Sequence, residues 1–103
     1  MKKYYLLGMK GIRDCNNRKV QLEYYLAENV RDFAKPVYGI RVIRYLKEEL
    51  IREKEESWGI SEDRGEVERL ILKFMDNTVT PNTLPELVDE YITLRLAQCI
   101  EAG

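Results

Sequence analysis

The sequence contains no histidine, and this absence narrows the chemistry that the chain can perform. Histidine is the commonest general base in enzymes and the commonest metal ligand in proteins. Only two cysteines are present, Cys15 and Cys99, and their positions match no metal-binding spacing. A structural zinc site normally takes four ligands from cysteine and histidine, so we expect none here. Two free thiols are the favoured state of the pair, and a disulfide is the alternative.

Glycine-rich nucleotide loops and membrane-spanning runs are also missing. The six glycines are scattered and match neither phosphate-binding signature. No apolar run approaches the roughly 20 residues of a membrane span. The short apolar stretch after Lys3 ends at Lys10, too early for a secretion signal. We therefore expect a cytoplasmic protein that is not an enzyme, with no catalytic residues, no metal and no cofactor.

The charge of the chain is small in total but unevenly distributed. The net charge is −1, yet residues 1–45 carry +6 and residues 46–103 carry −7. These opposite charges are consistent with attraction between the two halves within one domain, with head-to-tail or antiparallel self-association, or with a basic face for an anionic partner. The simplest interpretation is that both charged faces are solvated and bind nothing. The carboxylates Glu48, Glu49, Glu53, Glu55 and Glu56 are interpreted as a solvated face and not as a cation site.

The first half of the chain carries the patterns of β-strands. The alternation of residues 19–27 places Val20, Leu22, Tyr24 and Leu26 on one face and Tyr25 on the other. Aromatic and β-branched residues predict further strands at about 3–9 and 37–46, with a loop over residues 11–19. Gly39 inside the third strand indicates a bulge or the close approach of another backbone.

Residues 43–58 allow two interpretations. Ile43, Leu46 and Leu50 fall at helical spacing, and Glu48 with Arg52 makes a favourable (i, i+4) pair, so local propensity favours a helix. The alternative is a hairpin that turns at residues 47–49 and continues as a fourth strand over about 50–58. The turn lacks the Asn-Gly or Asp-Gly that a tight hairpin prefers, and the pattern alone does not decide between the two.

The second half of the chain predicts a helical hairpin, with helices over about 62–76 and 84–98. Ser61 or Asp63 can cap the first helix, and Glu66 completes a capping box with Asp63. Each helix carries apolar residues three and four positions apart, which need a partner surface. These are Val67, Leu70, Ile71, Phe74 and Met75 in the first helix and Leu84, Leu87, Val88, Tyr91, Ile92 and Leu96 in the second.

Several short motifs along the chain resemble those of a family of small bacterial proteins of unknown function. They are LEYYL at 22–26, VYGI at 37–40, GIS at 59–61, VTP at 79–81 with Leu84 after it, and DEY at 89–91. The resemblance extends from about Tyr4 to Ile92 and implies a strand over residues 50–58. The resulting prediction is one α+β domain over residues 1–103, a four-stranded antiparallel meander followed by a two-helix hairpin packed on one face.

The face of the sheet away from the helices is the expected site of function. It should carry Tyr25, Arg41, Ile43 and Tyr45, with Trp58 at an edge. We expect a non-enzymatic protein-interaction or self-association module, homodimeric or bound to an unidentified protein, because such a partly apolar face suits a partner or a second copy. The alternative is binding of single-stranded nucleic acid, because tyrosines between cations can stack bases.

Overall fold

The fold consists of a four-stranded sheet followed by two helices. The computed structural model describes the backbone of residues 1–31, 34–46 and 50–102, and side chains in these ranges up to residue 97. The elements are β1 (Lys2–Arg13), β2 (Lys19–Asn29), β3 (Val37–Leu46), β4 (Ile51–Ser61), α1 (Arg64–Asp76) and α2 (Leu84–Ala102). The strands pair in the order β1-β2-β3-β4, and every pair is antiparallel. The predicted α+β meander with two helices packed on it is confirmed.

The helices cover one face of the sheet and enclose the core there. The alternating residues of β2 that were predicted to share one face are buried beneath the apolar side of α1, together with Ile40 and Val42 of β3. Tyr24 lies at the centre, fully buried, and its hydroxyl donates a hydrogen bond of 2.8 Å to the Val79 carbonyl. Burial raises the pKa of Tyr24 to about 12. The other core residues are Val20, Leu22, Leu26, Tyr38, Ile40, Val42, Leu46, Ile60, Val67, Leu70, Ile71, Phe74, Val79, Leu84 and Val88.

The first hairpin is longer than predicted. β1 extends to Arg13, which pairs with Lys19, so residues 11–13 belong to a strand and not to the predicted loop. Asp14 makes the tight turn possible: its carboxylate accepts hydrogen bonds from the backbone N–H groups of Asn16 and Arg18. Asn17 adopts the left-handed conformation, with φ of 61°, that asparagine tolerates well. The turn between β1 and β2 is thus formed by residues 14–18 only.

The ambiguous stretch after β3 is a strand, as the resemblance implied. Ile51–Ser61 pairs with β3, and the helical interpretation of residues 43–56 is wrong for the residues described. Backbone pairing with β3 overrides helix propensity. The predicted turn at residues 47–49 lies outside the described residues, and Leu50 beside it has a φ of 54°. Gly39 marks the predicted irregularity, because the β3–β4 register shifts there and a Cβ on Gly39 would overlap the Ser57 carbonyl oxygen.

The cap of α1 also ties the two helices together. Asp63 is the N-cap, and its side chain accepts from the N–H groups of Gly65 and Glu66. Glu66 does not return the bond to Asp63 as in a capping box. Instead Ser61 accepts from the Asp63 N–H and donates to Glu66 at 2.8 Å. Glu66 is thereby free to accept further bonds from α2.

Glu66 is the polar contact between α1 and α2. Its Oε1 accepts hydrogen bonds from the Tyr91 hydroxyl at 2.6 Å and from Arg95 at 2.9 Å. These contacts place the middle of α2 beside the start of α1, so the helices run antiparallel. The hydrogen bond from Tyr91, with those from Arg95 and Ser61, lowers the pKa of Glu66 to about 2 against the opposing effect of burial. Leu96, predicted within the apolar stripe, is instead 56% exposed. It follows Arg95, which already contacts the first turn of α1, so α1 offers no further surface to cover it.

Candidate functional site

The sheet has a second face that neither helix covers, here called the open face. Along each strand, its residues alternate with the residues that point to the helices. The open-face residues are Lys2, Tyr4, Leu6, Met9, Gly11 and Arg13 from β1, Lys19, Gln21, Glu23, Tyr25, Ala27 and Asn29 from β2, Val37, Gly39, Arg41, Ile43 and Tyr45 from β3, and Arg52, Lys54, Glu56 and Trp58 from β4.

All five residues predicted for the site lie on the open face. Tyr25 is directly opposite Arg41 across the β2–β3 pair, while Ile43 and Tyr45 follow along β3. Trp58 lies near the end of β4 and reaches over the sheet from its edge. Ile43 is only 1% exposed, so its side chain supports the sheet and offers little surface to a partner.

Tyr4 and Trp58 meet across the sheet from its two edge strands. Tyr4 pairs with Ala27, which in turn pairs with Gly39. Because these two central residues are small, the Tyr4 and Trp58 rings can lean inward above them. Their centroids are 6.0 Å apart at an interplanar angle of 67°, an edge-to-face contact.

Glu56 holds this aromatic pair in place. Its Oε1 accepts from the Tyr4 hydroxyl at 3.1 Å, and its Oε2 accepts from the Trp58 indole N–H at 2.9 Å. Arg41 Nε lies 3.5 Å from Glu56 Oε1, and the Arg41 guanidinium stacks over the Tyr4 ring at 4.5 Å. Lys2 Nζ lies 4.9 Å from the centroid of the Trp58 ring. We call Lys2, Tyr4, Arg41, Glu56 and Trp58 the Glu56 cluster.

The cluster changes the acidity of two of its members in opposite directions. Burial raises the pKa of Tyr4, and the neighbouring Glu56 carboxylate raises it further. Burial alone would raise the pKa of Glu56, but hydrogen bonds from Trp58 and Tyr4 and the charge of Arg41 lower it overall. Glu56 is therefore ionised and Tyr4 neutral near pH 7, so the Tyr4 hydroxyl and the Trp58 N–H both donate to a charged carboxylate. The buried Nε of Arg41 lies within ion-pair distance of Glu56 but makes no hydrogen bond with a described residue.

The sequence prediction missed Lys2, Tyr4 and Glu56 as members of the site. The alternation of β1 hides Tyr4, because Tyr4 and Tyr5 are adjacent and a register shift between Leu6 and Gly8 breaks the pattern. Glu56 was assigned to the solvated acidic run. The signal that could have identified it is period two in β4, which places Glu56 and Trp58 on the same face.

The charges of the protein are separated between its two sides. The open face carries six cations, Lys2, Arg13, Lys19, Arg41, Arg52 and Lys54, against the carboxylates Glu23 and Glu56. Residues 62–97, which contain the helices up to the last described side chain, carry four basic and eight acidic residues. The opposite charges of the two sequence halves thus correspond to a basic sheet face and an acidic helical layer.

The acidic run does not form a cation site in the described residues. Glu48 and Glu49 lie outside them, and Glu53 and Glu55 point to the helix side of β4 whereas Glu56 points to the open face. No three carboxylate or cysteine side chains converge within the described part of the chain. Cys15 is an exposed free thiol. No helix in the described ranges is both long and apolar enough to cross a membrane.

Comparison with known proteins identifies a protein family to which the chain is similar. The model of a family of unknown function matches residues 3–94, which is most of the chain and nearly the range of the resemblance seen in the motifs. No curated protein and no solved structure matches the chain. The geometry of the open face is therefore the basis for a functional conclusion.

Proposed function

Since the chain belongs to DUF6514, a family of unknown function, we propose its function from the geometry: it is a non-enzymatic interaction module that binds a protein partner on the open face. The single observation behind this proposal is an uncovered sheet face with an excess of cations and two exposed apolar side chains. Leu6 is 49% exposed and Met9 is 57% exposed, next to Tyr25 and Glu23 on the neighbouring strand.

Charge defines the kind of partner that suits this face. Lys19, Arg52 and Lys54 make no hydrogen bond or ion pair with another described residue, so they are available to carboxylates. Two copies that met through their open faces would bring like charges together, which is unfavourable. We therefore favour a partner protein with an acidic surface over a face-to-face homodimer.

The state of the titratable groups supports a role without catalysis. A catalytic acid or base must have its titrating atom within hydrogen-bond reach of a substrate. On the open face, the groups with shifted pKa are Tyr4, Glu56 and Tyr25. Each is already hydrogen bonded within the sheet, Tyr4 to Glu56 and Tyr25 to Glu23. These bonds are typical of a face that holds its shape for binding.

Single-stranded nucleic acid is the second candidate occupant. It is favoured by the aromatic rings that lie between cations, an arrangement used by sheets that stack bases. Against it, Arg41 already stacks on Tyr4 and lies 5.9 Å from the Tyr25 ring, and Lys2 covers Trp58. These ring faces are engaged by the protein's own cations, which leaves less surface for bases.

A capture experiment tests the proposal. Tagged wild-type protein and the double variant Arg52→Glu, Lys54→Glu are incubated with native cell extract, with and without nuclease. The control is the double variant Arg69→Glu, Lys73→Glu, which makes the same charge change on the exposed side of α1. We expect the wild type and the control to retain one acidic protein after nuclease treatment, and the open-face variant to lose it.

Three other outcomes contradict the proposal in different ways. Material that disappears with nuclease identifies nucleic acid as the occupant. Equal capture by both double variants means that the partner binds elsewhere. Turnover of a small molecule by the purified protein would show that it is an enzyme.

A further inference from the structure

A shallow pocket lies at one end of the open face, away from the Glu56 cluster. It has a volume of about 420 Å³ and is lined mainly by Gly11, Arg13, Lys19, Gln21 and Tyr45. Small-molecule sites in proteins have volumes of about 300–1,000 Å³. Gly11, Gln21 and Tyr45 form one row across β1, β2 and β3, and Arg13 with Lys19 forms the next pair toward the hairpin turn.

The space in this pocket exists because position 11 has no side chain. A Cβ at Gly11 would meet no atom within 4 Å, so the glycine leaves a gap between the flanking side chains. Gly11 does not have the positive φ that would require glycine for its conformation. The gap is therefore available to a ligand, and a larger side chain at position 11 can fill it without straining the backbone.

The groups around this gap differ in chemistry and complement one another. Tyr45 makes no ring or cation contact with any other described residue, in contrast to Tyr4 and Trp58, so its ring is free to stack. The Gln21 amide nitrogen donates to Glu23 at 3.2 Å, which orients the amide and leaves its carbonyl oxygen as an acceptor.

Two cations lie at the hairpin end of the pocket. Lys19 makes no hydrogen bond or ion pair with a described residue. Arg13 uses Nη1 to donate to the Asn17 carbonyl at 3.1 Å and retains its other donors. Lysine and arginine are the usual ligands of phosphate groups in proteins.

We propose that this pocket binds a nucleotide, with the base stacked on Tyr45 and facing Gln21 and the phosphate held by Lys19 and Arg13. The ligand is either a free nucleotide or one unit of a single strand, since both present the same base and phosphate. The pocket adjoins the Arg52 and Lys54 surface, because Tyr45 pairs with Arg52 across β3 and β4. The two proposals are tested separately, since one is measured by capture of an acidic protein and the other by nucleotide binding to variants at Gly11 and Lys19.

The experiment follows the backbone amide signals of the isotope-labelled full chain by NMR during titration. The probes are adenosine monophosphate, adenosine, inorganic phosphate and a short single-stranded oligoadenylate. We expect the signals of Gly11, Gln21 and Tyr45 to shift with the nucleotide and the oligonucleotide, and to shift less with adenosine or phosphate alone. If adenosine monophosphate and the oligoadenylate bind with equal affinity per site, the ligand is a free nucleotide. Much tighter, salt-dependent binding of the oligoadenylate identifies a single strand as the ligand.

Two variants test the pocket, and one serves as a control. Gly11→Leu should weaken binding about tenfold or more, the scale expected when one base–aromatic stack is lost. Lys19→Glu, at an exposed position where folding is not at risk, should weaken binding of the phosphorylated probes and leave adenosine unchanged. Arg69→Glu on α1 should bind as the wild type does. The proposal is overturned if no probe moves the three signals, or if Gly11→Leu and Lys19→Glu both bind normally.

Discussion

Replacement of Glu66 by glutamine should destabilise the protein at neutral pH and leave its stability nearly unchanged in strong acid. The carboxylate joins β4, α1 and α2 through Ser61, Tyr91 and Arg95. Glutamine has nearly the same shape but no charge, so the variant removes the ionic part of these contacts. The difference between an ordinary glutamate pKa of 4.5 and about 2 corresponds to roughly 3 kcal/mol. Because the side chain is 22% exposed, solvent reduces this to about 1–3 kcal/mol.

The sign of the pH dependence follows from the direction of the pKa shift. The folded-state pKa of Glu66 lies below the unfolded value, so the folded protein binds this proton less readily than the unfolded chain. The stabilisation is therefore complete above about pH 4.5 and is lost as the pH falls toward 2. The difference between wild type and Glu66→Gln should shrink over that same interval.

Urea denaturation at a series of pH values measures this difference, since urea does not screen charges. Glu68→Gln is the matched control, because Glu68 lies on the same helix and pairs with Arg64 at 2.7 Å on the exposed surface. An exposed (i, i+4) pair contributes about 0.3–0.5 kcal/mol, so this control should cost little. The reasoning is refuted if Glu66→Gln costs no more than Glu68→Gln at pH 7, or if its cost is the same in strong acid.

Three further substitutions test the fold by the change they cause in the free energy of unfolding. Gly39→Ala should destabilise by about 1–3 kcal/mol, because a Cβ would overlap the Ser57 carbonyl; an unchanged denaturation midpoint would contradict that close approach. Tyr24→Phe should cost about 1–3 kcal/mol because it leaves the buried Val79 carbonyl without its donor, and calorimetry should show a lower melting temperature. Leu70→Ala, 6% exposed in the wild type, should cost about 2–5 kcal/mol, and a smaller loss would mean that α1 packs loosely.

The parts of the fold that sequence could predict are those specified by local pattern. The alternation in residues 20–26 assigned Tyr24 to the core and Tyr25 to the open face, because period two requires opposite faces. Gly39 indicated a close backbone approach for the same kind of local reason. The fourth strand could not be predicted from propensity, since its charged residues favour a helix and only pairing with β3 makes it a strand.

The candidate site was predictable only in part because it depends on distant register. Tyr25 and Arg41 were correctly assigned to one face, but the contact of Tyr4 with Glu56 joins the first strand to the fourth. That contact depends on the pairing of β1 with β2, of β2 with β3 and of β3 with β4, and the first and last of these pairs contain a register shift. No local pattern encodes these together, so the central carboxylate of the cluster was interpreted as a solvated residue.

The separation of charge has a consequence for how the protein is recognised in solution. The protein measures 17 Å along its shortest axis, whereas ionic screening at physiological salt reduces electrostatic effects over about 8 Å. A molecule approaching the sheet is therefore largely shielded from the acidic helices behind it. Although its isoelectric point is about 5.6, the protein should act as a cation toward anything that meets its sheet and as an anion toward anything that meets its helices. At physiological salt, an anionic surface and a cationic surface should therefore each attract the protein, the first to its sheet and the second to its helices.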